Sequence, residues 1–427
     1  MSKTIDASPT KEFFIDMLTR DIALDRSLLD LIDNSVDAAR ENKIDNAWIK
    51  IYFKNNQFVI HDNCGGMDIF SAQNYAFRFG RPNEKKITPN SVGQFGVGMK
   101  RTLFKLGKKF KVFSKKGTDS FSIDIDVDEW KVDDKDWTFN IEFNDAGEVK
   151  NGETKIIVSD LYSEIAEQLN LDTFINSLSQ EISSAHFMSI NSGVNIYIND
   201  EKVSTYQLTL LNSDKLGVYS KEFNIEDVSV KITAGISERR LEAGGWYIVC
   251  NGRLVESANQ NRITGWQLDG VPKYHPDYAF FRGIVEFNCE DSGRLPWTTT
   301  KTGVDRDNPV YRVALNYMKV AMRPIISFLR ERAKEDMHFK NGLLDYKPLN
   351  ETIDHATHVQ LNAVPPSDSF VRPAAAERKD MPEVATIQYT VLVAEIEKAK
   401  LSLNVSTNKE VGEETFNYYM SYECKNG

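Results

Sequence analysis

Four side chains in one short stretch, Asp30, Asp33, Asn34 and Asp37 of LLDLIDNSVDAAR (residues 28–40), have the types and spacing of a site for a hard cation. At i, i+3, i+4 and i+7 they share one stripe of a helix, while Leu28, Leu31, Ile32, Val36 and Ala39 spread over the other side and dock. Three carboxylates and an amide on one strip can hold such a cation through oxygen and orient a water for attack. The pattern equally describes a surface helix with a solvated acidic face, and the stretch alone leaves both readings open.

Two further clusters follow at wide spacing. His61-Asp62-Asn63-Cys64-Gly65-Gly66-Met67 comes after a strand-like run of Phe58, Val59 and Ile60. A carboxylate at the end of a buried strand, followed by glycines, can accept a hydrogen bond from an amino group while the backbone leaves room for a flat ring. Gly93-Gln94-Phe95-Gly96-Val97-Gly98-Met99-Lys100 leads into a helical pattern from Arg101 to Leu106. Glycines before a helix let backbone N–H groups approach phosphate oxygens, and the helix N-terminus favours the negative charge. The run is not G-x-x-x-x-G-K-[ST], so a P-loop is excluded. Between the clusters, residues 68–92 carry Arg78, Arg81, Lys85 and Lys86 among Gly80, Pro82 and Pro89. A basic, turn-rich connection suits a lid over phosphates and reads equally as a solvated loop.

The elements that must position these residues can be read from periodicity. Residues 9–20 place Phe13, Phe14, Met17 and Leu18 on one face of an amphipathic helix ahead of the acidic one. Residues 48–53 and 57–60 alternate apolar and polar around Asn55-Asn56, a β-hairpin feeding Asp62. From Lys100 to Lys116 there are eight basic residues and no acidic one, and from Asp119 to Asp136 eight acidic and two basic. The two blocks either pair across a sheet or leave a basic surface for DNA. Residues 162–188 read as helix, and residues 194–198, 228–236, 246–250 and 283–287 as strands, with Asn251-Gly252 a hairpin turn. Residues 309–336 form an amphipathic helix that Pro324 is expected to kink or divide. Residues 364–379 are linker-like by composition. His355 and His358 have no acidic or thiol partner at metal-site spacing and read as surface.

Composition bounds the rest. The 427 residues suffice for two or three domains, and 41% hydrophobic with 27% charged residues describes an ordinary globular chain. A net charge of -10 argues against a non-specific nucleic-acid coat. Cys64, Cys250, Cys289 and Cys424 lie too far apart for a disulfide framework or zinc knuckle. With neither a signal-like apolar stretch nor a run long enough for a membrane span, a cytoplasmic location is expected.

The helix with D-N-S-x-D-A, then D-N-x-G-G-M, then G-x-x-G-x-G-x-K, in that order, resembles the GHKL family of ATPases. That family groups gyrase B, the ninety-kilodalton heat-shock chaperones, MutL and the sensor histidine kinases, with the MORC proteins as close relatives. The resemblance implies an α+β fold: a GHKL (Bergerat) α/β sandwich ATPase domain over residues 1–165 and a transducer-like α/β domain over 166–345. A linker over 346–380 and a small C-terminal unit over 381–427, beyond the reach of the resemblance, complete the expected organisation. It further implies Mg²⁺-dependent ATP binding and slow hydrolysis, with lid closure and an ATP-driven homodimer acting as a switch on DNA in the MutL or MORC manner. Chaperone-like action on client proteins and a catalytically silent ATP-gated scaffold are the alternatives.

Residue by residue, the resemblance puts Mg²⁺ on Asn34 and adenine on Asp62, with Thr154 beside it. The backbone amides of Gly93, Gln94, Phe95, Gly96, Val97, Gly98 and Lys100 cradle the phosphates. Asp37, Gly66 and Met67 belong to the same binding set, although Cys64 stands where the pattern usually has glycine. Asp30 occupies the general-base position, where the family places glutamate; its carboxylate is withdrawn by about 1.5 Å, one C–C bond. Lys301, within Pro296-Trp297-Thr298-Thr299-Thr300-Lys301-Thr302-Gly303, matches the second-domain lysine that closes on ATP.

Overall fold

The alternation of residues 48–62 builds the central hairpin of a first sheet. Strands β1 (Trp48–Lys54) and β2 (Gln57–Asp62) pair antiparallel, with Ile51 opposite Ile60 and Ile49 opposite Asp62. Asn56 supplies the left-handed φ of 57° at the turn. The structure, a computed structural model, describes residues 8–54, 56–79, 92, 97–145, 147–205, 207–298, 301–377 and 385–424. Gly93, Gln94, Phe95 and Gly96 of the glycine run, residues 80–91 of the expected lid, and Thr299 and Thr300 lie outside the described residues.

Helices α1 (Lys11–Thr19) and α2 (Leu24–Glu41) precede the hairpin. After it come α3 (Ile69–Ser71), α4 (Gly98–Leu106), β3 (Gly107–Lys116), β4 (Asp119–Asp126), α5 (Val127–Trp130), β5 (Glu142–Phe143) and β6 (Thr154–Leu161). Helices α6 (Ser163–Leu169), α7 (Asp172–Ala185) and α8 (Phe187–Asn191) then lead to β7 (Asn195–Ile198) and β8 (Glu201–Lys202). The sheet order is β5-β4-β3-β6-β2-β1-β7-β8. Apolar residues of α2 and α4 share one core with the inward residues of these strands, among them Leu28, Ile32, Leu103, Val112 and Val158.

Two expectations for this part are corrected. The boundary at residue 165 falls too early, because β7 pairs parallel with β1 and the first core continues to Val203. A short strand returning after three helices cannot be assigned to its sheet from periodicity alone. In α1 the buried residues are Lys11 and Ile15, whereas Phe13 and Met17 are 60% and 55% exposed. The Lys11 ammonium donates to the Trp130 carbonyl and lies 4.0 Å from the Trp130 ring centroid, a cation–π contact that draws the helix in by a different face.

The second sheet consists of β9 (Thr209–Asn212), β10 (Tyr219–Ile225), β11 (Val228–Ile236), β12 (Gly245–Cys250), β13 (Arg253–Asn259), β14 (Phe281–Asn288) and β15 (Thr357–Gln360). Its order is β13-β12-β14-β11-β9-β15, with β10 also pairing with β11, off this path. Helix α9 (Pro309–Lys340) covers it; Asn308 caps the start by accepting from the Val310 and Tyr311 amides. Pro324 does not divide α9. Ala321, Met322, Ile325 and Ile326 on either side of it are buried in the second core, and this packing outweighs one missing N–H.

The stretch expected to be a linker, 346–380, is structured through residue 371. Helix α10 (Pro348–Asp354) buries Leu349, β15 pairs with β9, and Ser367 exchanges backbone hydrogen bonds with Ser220. Residues 378–427 form a separate unit containing α11 (Val393–Leu403) and α12 (Asn408–Tyr422), the latter started by a capping box between Thr407 and Glu410. No helix among the described residues is long and apolar enough to cross a membrane.

Candidate functional site

Helix α2 carries both ends of the candidate site. At one end the Ser35 hydroxyl donates to Asp62 Oδ2 at 2.7 Å, and the Cys64 amide donates to Asp62 Oδ1 at 2.9 Å. Asp62 stands directly opposite Thr154 in the β2–β6 ladder, and Thr154 Oγ1 is 2.8 Å from Ser114 Oγ, which also accepts from the Met67 amide at 2.8 Å. Burial raises the Asp62 carboxyl above its ordinary value, against the hydrogen bonds from Cys64 and Ser35. Gly66 turns with φ 67°, and a Cβ there would overlap the Lys115 carbonyl oxygen, so this crossing requires glycine.

Five residues earlier, about 7.5 Å along the helix axis, the surroundings change from neutral to charged. Asp30 is 6% exposed and faces the start of α4: a Cβ on Gly98 would lie 3.2 Å from Asp30 Oδ2. Arg101 holds that oxygen through Nε at 3.0 Å and through Nη2, and Lys301 Nζ lies 3.2 Å from Oδ1. The amides of Gly98, Met99 and Lys100 belong to the first turn of α4 and have no backbone acceptor among the described residues. They are the described part of the expected phosphate cradle; Val97 precedes them as the N-cap. The Lys100 side chain points elsewhere. Its Nζ donates to the Ala76 carbonyl at 2.7 Å, and burial lowers it to about 7.

Asp33 and Asn34 depart from the expected common strip. Asn34 is exposed, whereas Asp33 is fully buried and accepts from Lys301 Nζ at 2.6 Å on Oδ2. Arg253 Nε and His186 Nε2 lie 2.9 and 3.2 Å from Oδ1, charge contacts without the alignment of hydrogen bonds. Adjacent helical positions are about 100° apart, so the inner face of α2 reaches the second sheet while Asn34 faces solvent. Burial pushes Asp33 up, but Arg253, Lys301 and His186 outweigh it and hold the carboxyl well below the usual range. Burial opposes charge on Lys301 as well, and Asp33 with Asp30 overcomes it, raising the ammonium. His186 is pushed down by burial. Asp37 is a tether: its Oδ2 accepts from the Val92 amide at 2.7 Å, where the chain returns from the basic segment.

Sequence reasoning did not find Arg101, Ser35, Ser114 or His186 as members of the site. Ser35 had a signal, since the serine of D-N-S-x-D-A lies one residue after Asn34; His186 had none. The basic and acidic blocks pair across β3 and β4, with Lys111 to Asp124 at 2.6 Å and Lys109 to Asp126 at 3.2 Å. Cys64, Cys250 and Cys289 are buried free thiols, and Cys424 is exposed. His358 contacts Glu238 and Thr209, and no described cluster of three or more His, Cys, Asp or Glu residues suits a metal ion.

An acid at a strand end, an amide-lined helix start and a carboxylate between them is an arrangement for a nucleoside polyphosphate. Residues 22–152 match the family model described as histidine kinase-, DNA gyrase B-, and HSP90-like ATPase. The chain carries a GHKL-type ATPase domain. Domains of this type generally bind and hydrolyse ATP. In this ATPase domain all three sequence motifs lie inside the matched segment, and the mixed helices and sheets around it agree with an α+β fold. No curated protein matches the chain.

Proposed function

We propose that the protein binds ATP with Mg²⁺, hydrolyses it slowly, and uses closure and homodimerisation on ATP as a conformational switch acting on DNA. The observation that carries the reading is the meeting of Lys301 with Asp30 of α2, beside the first-turn amides of α4. Asp62 accepts the exocyclic amine of adenine. Thr154 and Ser114 orient the strand ends around it. The α4 amides hold phosphate oxygens. Lys301 neutralises charge that develops on the terminal phosphate, where a fixed cation in a water-poor site is worth most.

The donor set fits a hard cation that keeps its phosphate and water ligands. Asn34 presents an exposed amide oxygen and no crowd of carboxylates, the sparse protein contribution usual for Mg²⁺. When bound, Mg²⁺ neutralises phosphate charge. Asp30 accepts the proton of the attacking water once its cationic partners turn to phosphate. DNA is the partner class on the MutL and MORC resemblance, and the pairing of Lys109 with Asp126 and Lys111 with Asp124 argues against that block as its surface.

A second reading has one observation in its favour. Asp30 is held by Arg101 on one oxygen and Lys301 on the other, so neither oxygen is free to face a water. An ATP-gated scaffold with negligible turnover follows if that pairing persists with nucleotide bound. The decisive measurement is the mass of the protein in solution with and without a non-hydrolysable ATP analogue, repeated with DNA, alongside steady-state phosphate release. The switch predicts a monomer-to-dimer shift with analogue and salt-sensitive DNA retention. An unchanged mass at saturating analogue overturns it.

A further inference from the structure

Asp33 takes partners from three separate segments, and its two oxygens divide them. Oδ1 faces Arg253, the first residue of β13 after the Asn251-Gly252 turn, and His186 at the junction of α7 and α8. Oδ2 accepts only from Lys301 among the described residues. If Lys301 leaves, Arg253 and His186 still face Oδ1 as charge partners. Lys301 itself sits on a short loop closed at its base by the Trp297–Val304 bridge and by the Thr298 amide donating to Gly303. Its φ of 55° is a left-handed conformation that a lysine keeps only when its surroundings hold it there.

Charge completes the argument. Arg101, Arg253 and Lys301 face Asp30 and Asp33 in this buried cluster, and Glu181 also interacts with Arg253. A buried ammonium cannot leave a carboxylate without another anion to take its place. The terminal phosphate of ATP is such an anion.

Resting on the nucleotide reading above, we infer that Asp33 is a positioning residue for Lys301: it docks the lysine beside Asp30 in the nucleotide-free protein and yields it to the terminal phosphate on ATP binding. Arg253 and His186 stay on Asp33 through the exchange and keep the second domain in register with α2. Asp33 and the phosphate are thus competitors for one cation. Removing the Asp33 charge strengthens ATP binding and slows turnover, because the lysine is no longer guided.

Calorimetric titration of a non-hydrolysable ATP analogue into the full chain tests this with four proteins: wild type, Asp33→Asn, Lys301→Met and the double variant. The expected result is an affinity gain of roughly fivefold or more in Asp33→Asn, absent when Lys301 is methionine, with kcat and the KM for ATP falling together. Equal or weaker binding by folded Asp33→Asn overturns the inference, as does the same gain in the Lys301→Met background. Where Asp33→Asn does not fold, Asp33→Asn/Arg253→Gln, which removes one charge of each sign, carries the same comparison with and without Lys301→Met. Wild-type protein that binds no analogue overturns the nucleotide reading and this inference with it; binding without a Lys301-dependent shift overturns the inference alone.

Discussion

The two ends of α2 are built by opposite means. Asp62 accepts from the Ser35 hydroxyl and the Cys64 amide, with Thr154 opposite it in the ladder and Ser114 bonded to Thr154, all from the part of the chain that builds the first sheet. Around Asp30 and Asp33 the contacts come from Arg101, His186, Arg253 and Lys301, and the last two belong to the part that builds the second sheet. The acid proposed to read adenine is held by contacts within the part of the chain that builds the first sheet. The end proposed to meet phosphate draws on the parts that build both sheets, so on that proposal it alone can report whether a triphosphate is present.

Breaking either end separates binding from turnover. Asp30→Asn is the largest expected effect on the charged end: turnover falls by about 10²-fold or more, while analogue binding by calorimetry is retained. Unchanged turnover would remove Asp30 from its role as base. Asp62→Asn acts on the neutral end and weakens ATP binding by roughly tenfold to a hundredfold, the worth of a hydrogen bond to a charged acceptor. A variant that binds ATP as wild type does would show that adenine lies elsewhere.

Smaller effects sharpen the contrast. Gly66→Ala forces a side chain into left-handed backbone against the Lys115 carbonyl and is expected to cost about 1–3 kcal/mol in chemical denaturation. The pH dependence belongs to the charged end. His186 has its folded value depressed by burial below its ordinary 6.5. The unfolded chain therefore takes up the proton first, and the stability that neutral His186 contributes is full above pH 6.5 and is lost as pH falls through and below it. Denaturation midpoints of wild type and His186→Gln should converge as pH is lowered from 7.5 to 5, with a slope difference of at most about 1.4 kcal/mol per pH unit. Parallel pH profiles would mean that the imidazole binds its proton equally well folded and unfolded, and midpoints that move apart as pH falls would mean that it is protonated in the fold.

Much of this was legible in the chain itself. The β1–β2 hairpin and the burial of Phe121, Ile123 and Ile125 on β4 follow from alternation, and the strands expected over residues 228–236 and 246–250 from runs rich in β-branched and aromatic residues. Asp62, Thr154 and Gly66 sit together because local strand register and a tight turn decide that end. Alternation and helical period did not reveal that Asp33 turns inward while Asn34 turns out, or that β7 returns beside β1. They also did not reveal that Pro324 lies within one continuous helix.

The sequence by itself determined the motifs and the strand that ends on Asp62, since those depend on residues close along the chain or on period-two pairing, whereas Ser35 and Ser114 beside Asp62 came from the tertiary structure. Only the tertiary structure decided the charges around Asp30 and Asp33. An ion pair between positions 33 and 301 has no period and no spacing rule, and it exists because the packing of the chain brings a buried carboxylate and a distant lysine within 2.6 Å in a medium where neither can stand alone.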